Sequence, residues 1–257
     1  LSIMNADGVE KICEKNIPCT CSPGFGDTLN EPFRYNCVPC DKGTTSPDPL
    51  SQNACVESAK GKYSDTLAAP VCKACEKGKY SSVEGAKTDS LCVYCDAGTY
   101  NQVAGSDECK VCPPGNYCNG NGDRTTGTID YMSCKPGTYQ DETGQTKCNL
   151  CPRGKYSDKN MAASCEYSLP GRYCPNEGMT MSLACAAGRY SGPQVSNCVE
   201  CAPGRYQDEE GLAACKNCDV GRYANGFGSV NASECASCPP GKYAGDVGSA
   251  NCTVCAD

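Results

Sequence analysis

The chain contains no histidine and no tryptophan, and only three phenylalanines. Val, Ile, Leu and Phe together number thirty of 257 residues. That is roughly 12%, against the ~20% below which a chain stays disordered unless something other than an aliphatic core holds it. No run of eighteen apolar residues occurs, so this segment contains no helical membrane span. Twenty-three basic residues face 30 acidic ones, a net charge of −7, so no basic surface is available for nucleic-acid phosphates. Without imidazole, and with no ordered nucleophile–base pair, no catalytic residue, metal-ligand set or cofactor is assigned, and the chain reads as a non-enzyme.

What replaces the missing core is cysteine, present 27 times. Thiols at that density persist as a framework only where they are oxidised, which places the protein outside the cell or on its surface. The first residues, Leu1–Asn5, show no charged and apolar leader pattern, and the sequence stops at Asp257, just after Cys255, where earlier repeats begin a new loop. A processed chain or a fragment is the expectation.

The tripeptide Gly-x-Tyr recurs eleven times, with its glycine at Gly61, Gly78, Gly98, Gly115, Gly137, Gly154, Gly171, Gly188, Gly204, Gly221 and Gly241. Degenerate copies at Gly24 and Gly43 make thirteen, and three residues before each glycine stands a cysteine or, at Ser58 and Ser168, a serine. A period of this size marks stacked repeats. Pro before Gly, as in Pro203–Gly204 and Pro240–Gly241, makes a turn in which glycine supplies a positive φ. The tyrosine then opens a short extended piece whose ring can cover a disulfide. No loop carries a helical apolar stripe. The expected fold is therefore a set of small disulfide-rich repeats, an elongated rod of about thirteen stacked short β-ribbon units with almost no helix.

Joining the second cysteine of each Cys-x-x-Cys to the first of the next closes one loop per repeat. The pairs are Cys21 with Cys37, Cys40 with Cys55, Cys75 with Cys92, Cys95 with Cys109, Cys134 with Cys148, Cys151 with Cys165, Cys185 with Cys198, Cys201 with Cys215, Cys218 with Cys235 and Cys238 with Cys252. Each such loop is worth roughly 3 kcal/mol in the chain-entropy model. Cys13 with Cys19 and Cys112 with Cys118 are further candidates, and sequence alone leaves connectivity open.

The run Cys235–Ala–Ser–Cys238–Pro–Pro–Gly–Lys–Tyr243 through Cys252–Thr–Val–Cys255 resembles the ephrin-receptor-like cysteine-rich repeat. It is similar, more distantly, to tumour-necrosis-factor-receptor cysteine-rich modules. The resemblance runs over nearly the whole chain from Cys21. It implies rods, stalks and spacers in receptors and surface coats, and it carries over no catalytic residue.

The departures from the pattern are at Ser58 and Ser168, which open a loop, and at Tyr131 and Ser182, which close one. They leave Cys72, Cys174 and Cys255 without regular partners. Repeats stacked at roughly 10 Å each would set Cys72 far from Cys174, beyond the roughly 4.4–6.8 Å between Cα atoms that a disulfide spans. Both are therefore candidates for inter-subunit disulfides, with a mispaired or buried free thiol as the plainer alternative.

Zinc is a competing use of nine Cys-x-x-Cys pairs, but it does not explain the Gly-x-Tyr register. Two N-glycosylation sequons are present, Asn231–Ala–Ser233 and Asn251–Cys–Thr253. Thr44–Thr45–Ser46–Pro47 and Arg124–Thr125–Thr126–Gly127 have the composition of O-glycan sites. Acidic clusters such as Asp208–Glu209–Glu210 do not match a calcium loop. Lys155, Arg172, Arg189, Arg205, Arg222 and Lys242 share one repeat position and would form a basic stripe in a straight stack.

The expected organisation is an N-terminal segment 1–20, regular repeats 21–111, irregular repeats 112–184 and regular repeats 185–257. The expected role is an extracellular structural glycoprotein that self-associates into a surface coat, appendage or filament. The competing reading is the stalk or ligand-binding ectodomain of a cell-surface receptor, with the irregular repeats as its ligand contacts.

Overall fold

The computed structural model describes residues 21–27, 37–46, 55–120 and 129–255, together with the strands Ser2–Met4 and Glu10–Ile12. The chain divides into two compact units. The first holds Leu1–Cys112, Cys118–Met132 and Gly144–Thr146, the second Pro113–Tyr117, Ser133–Thr143 and Lys147–Asp257.

Two-stranded antiparallel ribbons follow one another along the chain, and each strand pairs only with a neighbour in sequence. In the ribbons that carry a Gly-x-Tyr, its x-Tyr pair meets the residues after the loop-closing position. Lys62–Tyr63 pairs with Lys73–Ala74, and Arg205–Tyr206 pairs with Lys216–Asn217. Helix is confined, among the described residues, to two 3₁₀ turns at Asp89–Leu91 and Ala232–Glu234.

From Gly24 onward, the corner before a ribbon is a β-turn. Arg172 N–H donates to the Leu169 carbonyl at 3.0 Å around Pro170–Gly171, with Gly171 at φ +80°. Proline at the second position and a positive-φ residue at the third are the requirements of a type II turn. The corner also joins the repeats. In the second unit, Gly171 N–H donates to the Ser191 carbonyl at 2.8 Å, and the Gly171 carbonyl accepts from Cys185 N–H at 2.9 Å. Gly211 N–H then donates to the Cys185 carbonyl at 2.8 Å. The first unit repeats this pattern: Gly61 N–H to Ser81, Cys75 N–H to Gly61 and Gly105 N–H to Cys75, each at 2.8 Å. Because the ladder is made of main chain, it satisfies buried backbone groups whatever side chains the loops carry.

Glycine is required at the corner for space as well as for φ. A Cβ on Gly171 would lie 1.9 Å from the carbonyl oxygen of Gly211, two repeats ahead, and one on Gly204 would lie 1.9 Å from that of Gly248. The loop residue that presses on the corner itself sits at positive φ. It is glycine at Gly85, Gly105, Gly144, Gly178, Gly211, Gly228 and Gly248, and Ala68, Met161 or Gln194 in three repeats.

The core is sulfur with a layer of small polar groups. Cys40, Cys112, Cys151, Cys185 and Cys201 are fully buried. The residue after the tyrosine of each Gly-x-Tyr is also buried, for example Ser81, Asn101, Gln140, Ser191, Gln207 and Ala224. Gln207 is satisfied by its own loop: Nε2 donates to the Ala214 carbonyl at 2.6 Å and Oε1 accepts from Glu209 N–H at 3.1 Å. The ring of Tyr206 packs on Cys218, Ala224 and Cys235, so a tyrosine covers the disulfide of the following repeat.

Gly171→Ala is expected to cost at least ~2 kcal/mol, combining left-handed strain with backbone overlap. Gly192→Ala, where a Cβ meets nothing within 4 Å, is expected to stay within ~0.5 kcal/mol of the parent. Denaturant unfolding of the two variants checks the contrast, and equal stabilities would refute the corner's role.

Candidate functional site

Each regular repeat is closed as its spacing suggests. Cys21–Cys37, Cys40–Cys55, Cys75–Cys92, Cys95–Cys109, Cys134–Cys148, Cys151–Cys165, Cys185–Cys198, Cys201–Cys215, Cys218–Cys235 and Cys238–Cys252 are disulfides with Cα separations of 5.5–5.8 Å. Cys112 and Cys118 are also bonded, at 6.1 Å. Cys13 and Cys19 lie outside the described residues. Seven of the nine Cys-x-x-Cys pairs have both sulfurs in disulfides, while Cys72 and Cys255 are the free members of the other two. Among the described residues no group of three or more candidate ligands is placed to hold a metal ion.

The irregular repeats are closed by three different non-covalent or displaced contacts. In the Gly61 repeat, Ser58 Oγ lies 2.7 Å from Cys72 Sγ, so these two occupy the places of a disulfide with one sulfur replaced by oxygen. In the Gly115 repeat the disulfide moves to Cys112–Cys118. At the closing position Tyr131 packs edge-on against Tyr100 of the preceding repeat, with centroids 5.2 Å apart, and Gln102 Nε2 donates to Asp130 Oδ1 at 2.7 Å.

The Gly171 repeat has neither form of disulfide. Arg172 grips the closing residue instead, Nε to Ser182 Oγ at 2.9 Å and Nη2 to the Ser182 carbonyl at 2.6 Å. Cys174 follows its tyrosine, the position Cys118 holds in the Gly115 repeat, but the residue six before it is Ser168 where Cys118 has Cys112. The packing across this repeat is also looser. A Cβ on Gly154 would lie 3.0 Å from the Gln194 carbonyl, against 1.9–2.3 Å at the other corners that meet a loop carbonyl.

Cys174 is therefore a correction to the sequence reading. Its sulfur is fully buried in the stack and is not presented to another subunit. Burial pushes the Cys174 thiol above its ordinary range, with Arg172 opposing. Cys72 is half-buried against Ser58, and Cys255 is exposed.

The basic stripe is also revised, since most of its cations are spent within their own repeats. Arg189 pairs with Glu200 at 2.7 Å, Lys155 Nζ sits 4.3 Å over the Tyr167 ring, and Arg222 Nη1 donates to the Cys235 carbonyl at 2.9 Å. Arg205 and Lys242 are exposed opposite Asn217 and Val254. The acidic run at Asp208 and Glu209 closes on Lys216 Nζ at 2.6 and 2.9 Å. That hydrogen bond holds the Asp208 carboxyl below its usual range, and in so exposed a pair it adds little stability.

Asn231 and Asn251, the two sequon asparagines, are both exposed. The hydroxyls proposed for O-glycans are engaged or covered: Thr44 and Thr45 donate to the carbonyls of Asp41 and Ala69, and Ser46 is buried. Pro47 and Arg124–Gly127 lie outside the described residues.

Residues 132–167 and 188–235 match the family model described as tyrosine-protein kinase ephrin type A/B receptor-like. Over these two segments the chain is similar to ephrin-receptor-like cysteine-rich repeats. The stretch between the two matches, 168–187, contains the Gly171 repeat, one of those without a disulfide. No curated protein matches the chain. Disulfide density and repeat type together point to an extracellular or secreted domain. Among the described residues no helix is long and apolar enough to cross a membrane.

Ser58→Cys is expected to bond to Cys72 and raise stability by about 3 kcal/mol. Thiol titration of the unfolded protein should find one free thiol fewer than in the parent. Ser168→Cys is expected to do the same with Cys174, reproducing the Cys112–Cys118 bridge. An unchanged or increased thiol count in either variant would show that the serine does not occupy the partner's place.

Proposed function

We propose that this protein is an extracellular structural glycoprotein whose repeats form a subunit of a surface coat, appendage or filament. The observation that carries the reading is the closure of each regular repeat by its own disulfide and its attachment to the next through main-chain hydrogen bonds. Stability in such an array is a sum of repeat and nearest-neighbour terms, so length is set by repeat number and not by one central core. The chain is acidic overall, with a net charge of −7, and exposed ion pairs such as Lys73–Asp65 and Arg189–Glu200 close within single repeats. Cys72, half-exposed and without a disulfide, is the remaining candidate for a covalent link between subunits, and Asn231 and Asn251 are the candidate glycan carriers. The match to receptor-type repeats favours a receptor stalk as the second reading.

Electrophoresis of native material with and without reductant, followed by mapping of the linked peptides, separates the two. A ladder that collapses on reduction, with Cys72 in an inter-chain peptide, supports a covalent assembly. Dispersed monomers with Cys72 as a free thiol, bound one to one to a protein ligand, would replace it with the receptor reading.

A load-bearing role also requires that tension find the weakest repeat first. The Gly171 repeat, without a disulfide and under a loosely seated loop, is expected to open before its locked neighbours. Maleimide labelling of Cys174 should be slow in the resting protein and accelerate under sub-denaturing guanidinium or stretching force. Labelling that begins only with global unfolding would remove this repeat as the yield point. Because the raised thiol pKa favours the protonated folded form, this repeat should also lose stability as pH rises past about 8.5–9, where the opened chain's thiol ionises.

A further inference from the structure

Two repeats in the chain are near-copies of each other. The Gly78 and Gly221 repeats both close loops 17 residues apart, at Cys75–Cys92 and Cys218–Cys235. Both carry a 3₁₀ turn and an isolated parallel bridge, Tyr63 to Ala86 in one and Tyr206 to Ser229 in the other.

They differ at a cavity. In the Gly78 repeat, Lys79 Nζ pairs with Glu76 at 3.3 Å and lies 4.8 Å over the ring of Tyr94. In the Gly221 repeat, Arg222 turns to the Cys235 carbonyl, and Asp219, which takes the place of Glu76, has no ion pair among the described residues. Beside the Cys218–Cys235 disulfide lies a cavity of about 360 Å³ lined by Tyr206, Asn217, Asp219, Arg222, Ala232 and Ser233.

Ala232 and Ser233 are two thirds of a sequon. Asn231 caps the 3₁₀ turn, its Oδ1 accepting from Ser233 N–H at 2.9 Å and from the Ser233 hydroxyl. The Gly78 repeat has Thr88 at this position. Oδ1 is committed to the turn, and Nδ2, the atom to which an N-linked sugar attaches, has no protein partner among the described residues.

We propose that the cavity holds the first sugars of an N-linked glycan carried by Asn231. A sugar ring presents hydroxyls that both donate and accept and one apolar C–H face. Asp219, Asn217 and the Ser233 hydroxyl oxygen accept, Asn217 and the unused N–H groups of Arg222 donate, and the ring of Tyr206 offers an apolar surface. The glycan then ties the 3₁₀ turn to the corner of its own repeat. This rests on the reading of the protein as an extracellular glycoprotein.

The test uses the whole chain secreted from a eukaryotic host, with occupancy of Asn231 measured by mass spectrometry. One portion is trimmed to a single N-acetylglucosamine and another is fully deglycosylated. Amide hydrogen exchange is then followed at Arg222 and Ser233–Cys235. The trimmed form is expected to exchange about tenfold more slowly at these amides than the bare form. Asp219→Ala should erase the difference without changing occupancy, and Glu76→Ala in the twin repeat should leave it intact.

An occupied Asn231 with equal exchange in both forms would overturn the docking and leave the glycoprotein reading standing. An unoccupied Asn231 would overturn both at this site. Should Asn231 be bare while Asn231→Gln protein binds N,N′-diacetylchitobiose with Asp219 dependence, the cavity belongs to a neighbouring molecule's glycan and the own-glycan assignment fails.

Discussion

A glycine held at positive φ beneath the carbonyl of a loop two repeats away is the constraint on which the rest of this structure depends. At Gly61, Gly171 and Gly204 the loop oxygen would lie within 2.0 Å of any Cβ, so the next-but-one repeat can seat only where the corner has no side chain. The same glycine turns the chain, donates to the following repeat and accepts from it. Ribbon, stack and disulfide spacing are all fixed relative to that point. A chain with few aliphatic residues can therefore order itself by main-chain hydrogen bonds over a layer of sulfur and small polar groups.

Once the ladder is in place, the disulfide becomes replaceable. The Gly61 repeat keeps the geometry with Ser58 against Cys72, the Gly115 repeat moves its bridge and stacks Tyr131 on Tyr100, and the Gly171 repeat relies on Arg172 and Ser182. These closures are not equal in strength. A disulfide removes roughly 3 kcal/mol of loop entropy from the unfolded chain, whereas a hydrogen bond contributes about 1 kcal/mol net. Stability is therefore expected to vary along the chain and to be lowest at the Gly61 and Gly171 repeats, which have no disulfide.

Charge plays a local part. Lys73–Asp65, Lys159–Glu166 and Arg189–Glu200 each join residues of a single ribbon and its loop. Exposed pairs of this kind add little to stability, but they keep opposite charges from reaching across to other molecules. The exposed surface also carries the two sequon asparagines and large apolar side chains such as Val71, Leu169 and Phe227.

The period, the corner glycine, the oxidised framework and the regular pairing were all legible in the sequence, because each depends on residue type at fixed local spacing. The second glycine, seven residues after the first in Gly78–Gly85, Gly98–Gly105 and Gly204–Gly211, was equally visible, though its role as the partner of a distant corner was not. The residue after each Gly-x-Tyr gave no signal, since Ser81, Asn101, Gln140 and Ala224 share only their burial between repeats. What became of the irregular cysteines was likewise decided in three dimensions. Cys174 reads on the sequence as a spare thiol free to cross-link, and stacking buries it, because which face a side chain shows is set by the neighbouring repeats. Local spacing determined what each repeat is; the packing of one repeat on the next decided which of its atoms remain available to anything else.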